Sequence, residues 1–220
     1  MAEKRVEAVE RALSIIECFS AKDRELTLTE ISELTGLYMS TILRLCGSLE
    51  RYGYIVRQAS GEFRVGPSLW RLGALYSSGH ENAEVIRPRL HDIVVRTKET
   101  ATFFVREGND RVCLYRETSP HALRYDLEEG TRLTMDRGAS AHILRAFSDQ
   151  ATPEDAAIVE AGYAMSNGER TPNVAALAVP FFNANGELRG AFGLSGPSFR
   201  FNEEARDLAL TVLRDVSSRT

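Results

Sequence analysis

The chain has 220 residues, 43% hydrophobic and 26% charged, with a net charge of −4, a balance that excludes both a disordered and a membrane-embedded protein. No apolar run approaches the roughly 18 residues that a spanning helix needs, and the opening MAEKRVEAVERALS is charged rather than signal-like, so the expected location is the cytoplasm. Cys18, Cys46 and Cys113 lie far apart without C-x-x-C or paired His spacing, which argues against zinc or a redox pair and for small buried hydrophobes.

The length suits two modest domains, each with its own core. In the first, Thr27 can cap a helix start while Glu30, three residues on, reaches back in a capping box. Leu28, Ile31 and Leu34 then follow helical spacing along one expected buried face. Gly36 supplies the backbone freedom of a tight turn. The next helix should bury Leu37, Ile42, Leu45 and Leu49, which leaves Tyr38, Met39, Ser40, Thr41 and Arg44 on or near its exposed opening turns. Those are the positions with which a recognition helix meets base edges and phosphates. Gly53 stops the helix, and 54–57, a turn at Ser60-Gly61 and 62–65 alternate as a hairpin, or wing. Thr29, Arg57 and Arg64 complete the candidate DNA-contacting set. Through Gly66 there are nine basic and ten acidic residues, so net charge alone leaves open a winged helix that binds protein instead of DNA. The acids fall largely on the first helix and its flanks, whereas Arg44, Arg57 and Arg64 lie on the second helix and the wing. Local distribution governs attraction to phosphates.

Pro67 can open a further helix whose apolar residues are Leu69, Leu72, Leu75 and Tyr76. Trp70 suits either pairing of subunits or packing beneath its own domain. After Ser77-Ser78-Gly79, an amphipathic helix is expected over 82–97, with Pro88 early enough to be tolerated. Strands are expected at 102–106, 111–117 and 123–127, helices at 139–147 and 153–160, strands at 174–182 and 188–195, and a last helix after Asn202. Helices before and after an antiparallel sheet make an α+β domain.

The segments Val9-Glu10-Arg11-Ala12-Leu13-Ser14-Ile15-Ile16, Leu28-Thr29-Glu30-Ile31, Ser40-Thr41-Ile42-Leu43-Arg44-Leu45, Leu49-Glu50-Arg51-Tyr52-Gly53-Tyr54 and Phe63-Arg64-Val65-Gly66 resemble the winged helix-turn-helix of IclR-family transcriptional regulators. Gly162, Ser166, Glu169, Ala176, Leu177, Ala178, Phe182 and Asn183 match the spacing of that family's C-terminal signature, and Gly138-Ala139-Ser140 and Leu194-Ser195-Gly196-Pro197 are similar to two further family segments. The resemblance implies a winged helix-turn-helix at 1–66, a linker helix at 67–80 and, at 81–220, a GAF-like effector-binding α/β sandwich with an antiparallel sheet. It implies double-stranded DNA and a small-molecule effector as partners, a homodimer or homotetramer, and no cofactor or membrane association.

Carried over residue by residue, the resemblance puts the effector pocket near Ala141, Ser166, Ala176, Gly193 and Ser195, where relatives that bind small carboxylates tend to have a backbone-exposing Gly, an Asp, a Cys and two Ser. Only Ser195 keeps the family residue, Ala176 and Gly193 offer no side-chain hydrogen bond, and His142 replaces the usual basic residue. The expectation is a roomier, less polar cavity and a less polar or aromatic acid as effector. Arg124, near Asp126, is either a fork for the effector carboxylate or a solvated strand-face residue. Cys113, in a strand beside that expected cavity, is also weighed as an oxidisable sensor. The rival class is a small-molecule hydrolase or esterase using Ser140, because Gly138-Ala139-Ser140-Ala141-His142 resembles a nucleophile elbow in its first three residues. The second glycine is absent and His142 is a sequence neighbour, so no catalytic residue and no metal ligand is expected.

Overall fold

The computed structural model describes residues 5–20, 22–78 and 83–219. It falls into two units, Met1–Gly79 and His80–Thr220. In the first, α1 (Glu7–Ile16), α2 (Leu28–Thr35) and α3 (Met39–Arg51) enclose a core with β1 (Glu25–Leu26), β2 (Ile55–Arg57) and β3 (Phe63–Val65). The core is Ile15, Leu26, Ile31, Ile42, Cys46, Leu49, Ile55 and Phe63. Thr27 caps α2 as its residue type requires: its hydroxyl accepts from Glu30 N–H at 3.2 Å while the Glu30 carboxylate accepts from Thr27 N–H at 2.7 Å. Gly36 ends the helix in the left-handed region at φ +69°.

Three sequence expectations change here. Leu34 is exposed, because it lies about 60° around the helix from Ile31 and falls at the end of a helix only two turns long. The two-residue β1 adds a third strand in the order β1-β3-β2, too short to carry an alternation signal. α4 (Pro67–Ser78) buries none of its residues, and Trp70 is 81% exposed, so it does not pack beneath its own domain. The start of α4 is nevertheless fixed to the turn that ends α3. Ser68 N–H donates to Gly53 O at 3.0 Å and Ser68 Oγ donates to Tyr52 O at 2.7 Å. A Cβ at Gly66 would stand 2.2 Å from Gly53 O, so this close backbone crossing requires glycine.

The second unit is an α+β sandwich. α5 (Ala83–Thr97) precedes β4 (Thr100–Glu107), β5 (Asp110–Glu117) and β6 (Arg132–Thr134); α6 (Ala139–Ala146), a 3-10 turn (Pro153–Asp155) and α7 (Ala156–Ala161) follow. Then come β7 (Ala164–Asn167), β8 (Val174–Phe182), β9 (Leu188–Pro197) and α8 (Glu203–Ser218), which Asn202 caps by accepting from Ala205 N–H at 2.9 Å. The six strands are antiparallel in the order β6-β5-β4-β9-β8-β7. Large side chains such as Phe103, Phe181, Phe192, Leu90 and Leu213 fill the face under α5 and α8. The face under α6 carries small side chains instead, among them Ala164, Ala178 and Ala191, and there a cavity remains.

The strand expected at 123–127 is absent: that stretch is irregular, and its carbonyls are taken by side chains instead of a ladder. Tyr125 O accepts from Thr100 Oγ1 at 3.2 Å and Leu127 O from Arg116 Nη1 at 2.6 Å. The edge strand is β6, which pairs β5 from Asp110↔Thr134 to Val112↔Arg132. Pro153 starts a 3-10 turn before α7 rather than one continuous helix. Asn82, the expected start of the amphipathic helix, lies outside the described residues.

Candidate DNA-reading surface and effector cavity

On the first unit, the tight turn at Gly36 presents the opening of α3 to solvent. Tyr38, its N-cap, is 84% exposed; Met39, Ser40 and Arg44 are exposed, and Thr41 is half-buried. Thr29 on α2 and Arg57 and Arg64 on the wing are exposed as well. Arg57 is partly fixed, since its N–H donates to Glu50 Oε1 at 3.1 Å and its guanidinium lies 5.5 Å from the Phe63 ring centre. Arg44 and Arg64 form no ion pair among the described residues. Helix opening and wing thus carry solvated cations, hydroxyls and an aromatic ring, the groups that suit phosphates and base edges.

In the second unit, antiparallel register assembles the cavity floor in two rows. Ser166, Ala176, Ser195 and Thr100 lie side by side across β7, β8, β9 and β4; Ala164, Ala178, Gly193 and Thr102 form the next row. Ser166, Ala176, Gly193 and Ser195 line a cavity of about 60 Å³, together with Thr102, Arg111, Tyr125, Ser140, Glu169 and Arg170 among others. Two residues expected at the pocket do not line it. Ala141 is packed into the α6 core, its place on the wall taken by Ala139 and Ser140. Arg124 is exposed and donates to His121 O at 3.2 Å; in an irregular segment, its neighbour Tyr125 turns to the cavity instead.

The walls are also more polar than Ala176 and Gly193 suggest. Thr102, Arg111, Ser140, Ser166 and Ser195 are all buried. Gly193 does not create extra room, because a Cβ there would meet Thr102 Oγ1 at 2.9 Å. Thr102, directly across the strand pair, fills that space with its own hydroxyl. Arg111 escapes a sequence reading because a charged residue at a strand end normally reads as solvated. It shares a sheet face with Cys113, two residues on, and this phase is its one signal. The Arg111 side chain runs under Phe104, and its Nη1 donates to Thr134 O. Burial pushes its pKa down to about 10, with Arg170 adding to the effect and Asp136 and Glu169 opposing it. Arg170 lies 5.2 Å from the Tyr125 ring centre and is lowered by partial burial alone.

Gly138, at φ +95°, starts α6 beside this group. Its N–H donates to Glu169 Oε2 at 2.8 Å, and the next N–H, of Ala139, donates to Ser166 Oγ at 3.1 Å. Burial disfavours the Glu169 charge, yet the Gly138 N–H and His142 together hold its pKa below the usual range. Arg145 Nη2 lies 3.3 Å from His142 Nδ1, and as an Arg can only donate, that nitrogen accepts and Nε2–H points to Glu169 at 2.9 Å. Both ring nitrogens are engaged away from Ser140, so the elbow-like segment assembles no nucleophile–base pair. Cys113 is fully buried and burial pushes its pKa up to about 12, Glu129 adding to the effect. It is an inert core thiol rather than a sensor.

Among the described residues no cluster suits a metal ion, and no helix is long and apolar enough to cross a membrane. The IclR helix-turn-helix domain matches residues 8–59, and the C-terminal domain of bacterial IclR transcriptional regulators matches 74–157 and 153–220. The chain is 27% identical to the HTH-type transcriptional regulator BhcR of Paracoccus denitrificans, over 96% of its own length and 83% of that protein's. It is also 27% identical to the HTH-type regulator XynR of Escherichia coli, over 90% and 89%. Its fold is similar to that of the Thermotoga maritima IclR at TM-score 0.77 and 19% identity, over 97% and 96% of the chains. An IclR regulator from Alicyclobacillus acidocaldarius gives 0.73 and 23%, over 98% and 97%. Helix-turn-helix unit, cavity-bearing sheet and matches along nearly the whole chain agree: the protein belongs to the IclR family of DNA-binding transcriptional regulators, with an effector-binding C-terminal domain.

Proposed function

We propose that the protein acts in the cytoplasm as a dimer or higher oligomer on double-stranded DNA, and that a compact acid in the C-terminal cavity changes its affinity for the operator. Residues 1–66 would read DNA through Thr29, Tyr38, Met39, Ser40, Thr41, Arg44, Arg57 and Arg64, residues 67–80 would link, and 81–220 would sense. The observation that carries the effector reading is the cavity: five buried polar side chains around about 60 Å³. That is several times the ~10–15 Å³ a single water needs and far below the ~300–1,000 Å³ of drug-sized sites. A compact acid fits a cavity of this size better than an aromatic one. The exposed apolar side chains of α4, with Leu72, Leu75 and Tyr76 on one face and Trp70 on the opposite one, support pairing of subunits, and two α3 helices then reach two half-sites about one helical turn apart.

The test is titration of the full-length protein on DNA from its own upstream region, with and without a panel of two- to five-carbon acids. An active acid should change operator affinity by about 5- to 150-fold, the usual range of allosteric coupling. Ala176→Leu, which fills the cavity floor, should abolish the response and leave DNA binding intact. An unchanged response in that variant, or a monomer in light scattering with full operator affinity, would overturn the reading.

A further inference from the structure

The reading of the cavity as the effector site is the basis of this step. We infer that Arg111 is the residue that recognises the effector, giving its free Nε–H to a carboxylate beside the first turn of α6. Four observations converge on it. Arg111 is 2% exposed and lines the cavity, yet its Nε has no hydrogen-bond partner. Buried charges normally carry a partner, and no carboxylate among the described residues pairs with this one. Glu169, the acid on the same wall, is occupied by Gly138 N–H and His142.

The position is the second observation. A Cβ on Gly138 would stand 3.2 Å from Arg111 Nη2, so the guanidinium sits against the start of α6, where the helix dipole already favours an anion. Glu169 and Ser166 take the first two N–H groups there, and the Ser140 N–H is left without a partner among the described residues. Third, the charged groups on the walls are two guanidiniums and one carboxylate, an excess of one positive charge that a monoanion would balance. Fourth, Ala176 and Gly193 supply no side-chain donor. A planar guanidinium from β5, across the cavity floor, supplies what those two positions lack. Arg111 is therefore a specificity-determining residue: it selects an acid over its neutral analogue, while Ser166, Ser195 and Thr102 orient the rest of the molecule.

The experiment uses the full-length protein with acetate, pyruvate and benzoate, each against its amide, read as thermal shift and by calorimetry. At least one acid should raise the unfolding midpoint, with none of the amides doing so. Arg111→Met, which replaces a buried charge by an apolar chain of similar reach, should lose at least tenfold in acid affinity while its ligand-free midpoint stays or rises. Should Arg111→Met fail to fold, Arg111→Gln keeps a donor without the charge and should bind acid and amide alike. Undiminished acid binding in Arg111→Met or Arg111→Gln, amides that bind as tightly as acids, or no acid binding to the parent protein would each overturn the assignment. The cavity reading would survive the first two if Ala176→Leu still blocked binding, and the third if a neutral compound released the operator.

Discussion

The two functional regions hold their cations in opposite surroundings. Arg44, Arg57 and Arg64 stand in solvent on α3 and the wing, where a charge costs nothing until phosphates arrive. Arg111 and the Arg145–Asp155 pair belong to the interior of the second unit, Asp155 being 1% exposed. The contrast teaches how each region couples function to stability. An outward-facing reader can lose a charge and remain folded, so its substitutions should register chiefly in binding. An inward-facing one has charge built into packing, so each substitution there also moves stability, up or down according to whether the charge is paired.

The largest expected effect comes from the paired interior charge. Arg145 clasps Asp155 through Nε at 3.1 Å and Nη2 at 2.7 Å, and Thr152 N–H donates to the same carboxylate at 2.9 Å. Arg145 belongs to α6, so this fork fastens the helix that covers the cavity to the turn after it. Asp155→Ala should cost about 3 kcal/mol, the low end for breaking a buried pair because Arg145 keeps some contact with solvent. The sign with pH follows from the fork, which holds the Asp155 carboxyl well below the usual carboxylate range. A depressed folded value means that the contribution is complete above the unfolded pKa of about 3.9 and fades as pH falls below it. Urea unfolding of the parent protein and of Asp155→Asn should therefore differ most at neutral pH and converge progressively below about pH 4. A gap that stayed constant down to pH 2.5 would contradict the pairing.

A smaller effect is expected where the first unit does depend on a polar contact. Thr27→Ala removes the hydroxyl that accepts from Glu30 N–H and leaves the Thr27 N–H bond to the Glu30 carboxylate in place, and about 1 kcal/mol of stability should go with the lost half of the capping box. Because Arg44 and its neighbours lie on the next helix, operator affinity corrected for the folded fraction should be unchanged. A specific loss of DNA binding at constant folded fraction would mean that the cap sets the geometry of α3 and that reading and stability are less separate than the contrast requires.

The same contrast explains what was legible. Thr27 with Glu30, Gly36, Asn202 and the apolar run over Val174–Phe182 are signals confined to a few neighbouring residues, and each appears in the structure where the sequence puts it. The family resemblance was legible too, since its motifs are local. The cavity chemistry was not, because it is made by register: Thr102 meets Gly193 across 91 residues of chain, and nothing near Gly193 announces that a hydroxyl from another strand fills its space. Arg111 was hidden by its own type, as a strand-end arginine is ordinarily solvated. Ala176 and Gly193 therefore suggested a less polar site than their cross-strand neighbours make. The strand expected at 123–127 failed for a related reason. Its alternation was real, but Thr100 and Arg116 satisfy its carbonyls from outside, and the ladder position went to Arg132–Thr134.

The smallest expected change in stability carries the sharpest test of the comparison. Arg44 is exposed on α3, makes no ion pair among the described residues and packs against no core side chain, so Arg44→Ala should alter unfolding by no more than about 0.5 kcal/mol. If its guanidinium holds a phosphate, its removal releases one fewer counterion on binding. The slope of log affinity against log salt should then become shallower by about 1, with affinity falling on all sequences alike. Arg57→Ala should show a similar loss of slope with a slight destabilisation, since this side chain also covers Phe63. Fluorescence anisotropy across a salt series, beside urea unfolding of the same preparations, reads both quantities. An Arg44→Ala protein that is destabilised by well over 1 kcal/mol, or that keeps the parent salt slope, would show that this arginine belongs with Arg145 as a structural charge and that the division between an outward reader and an inward sensor does not hold at its most exposed point.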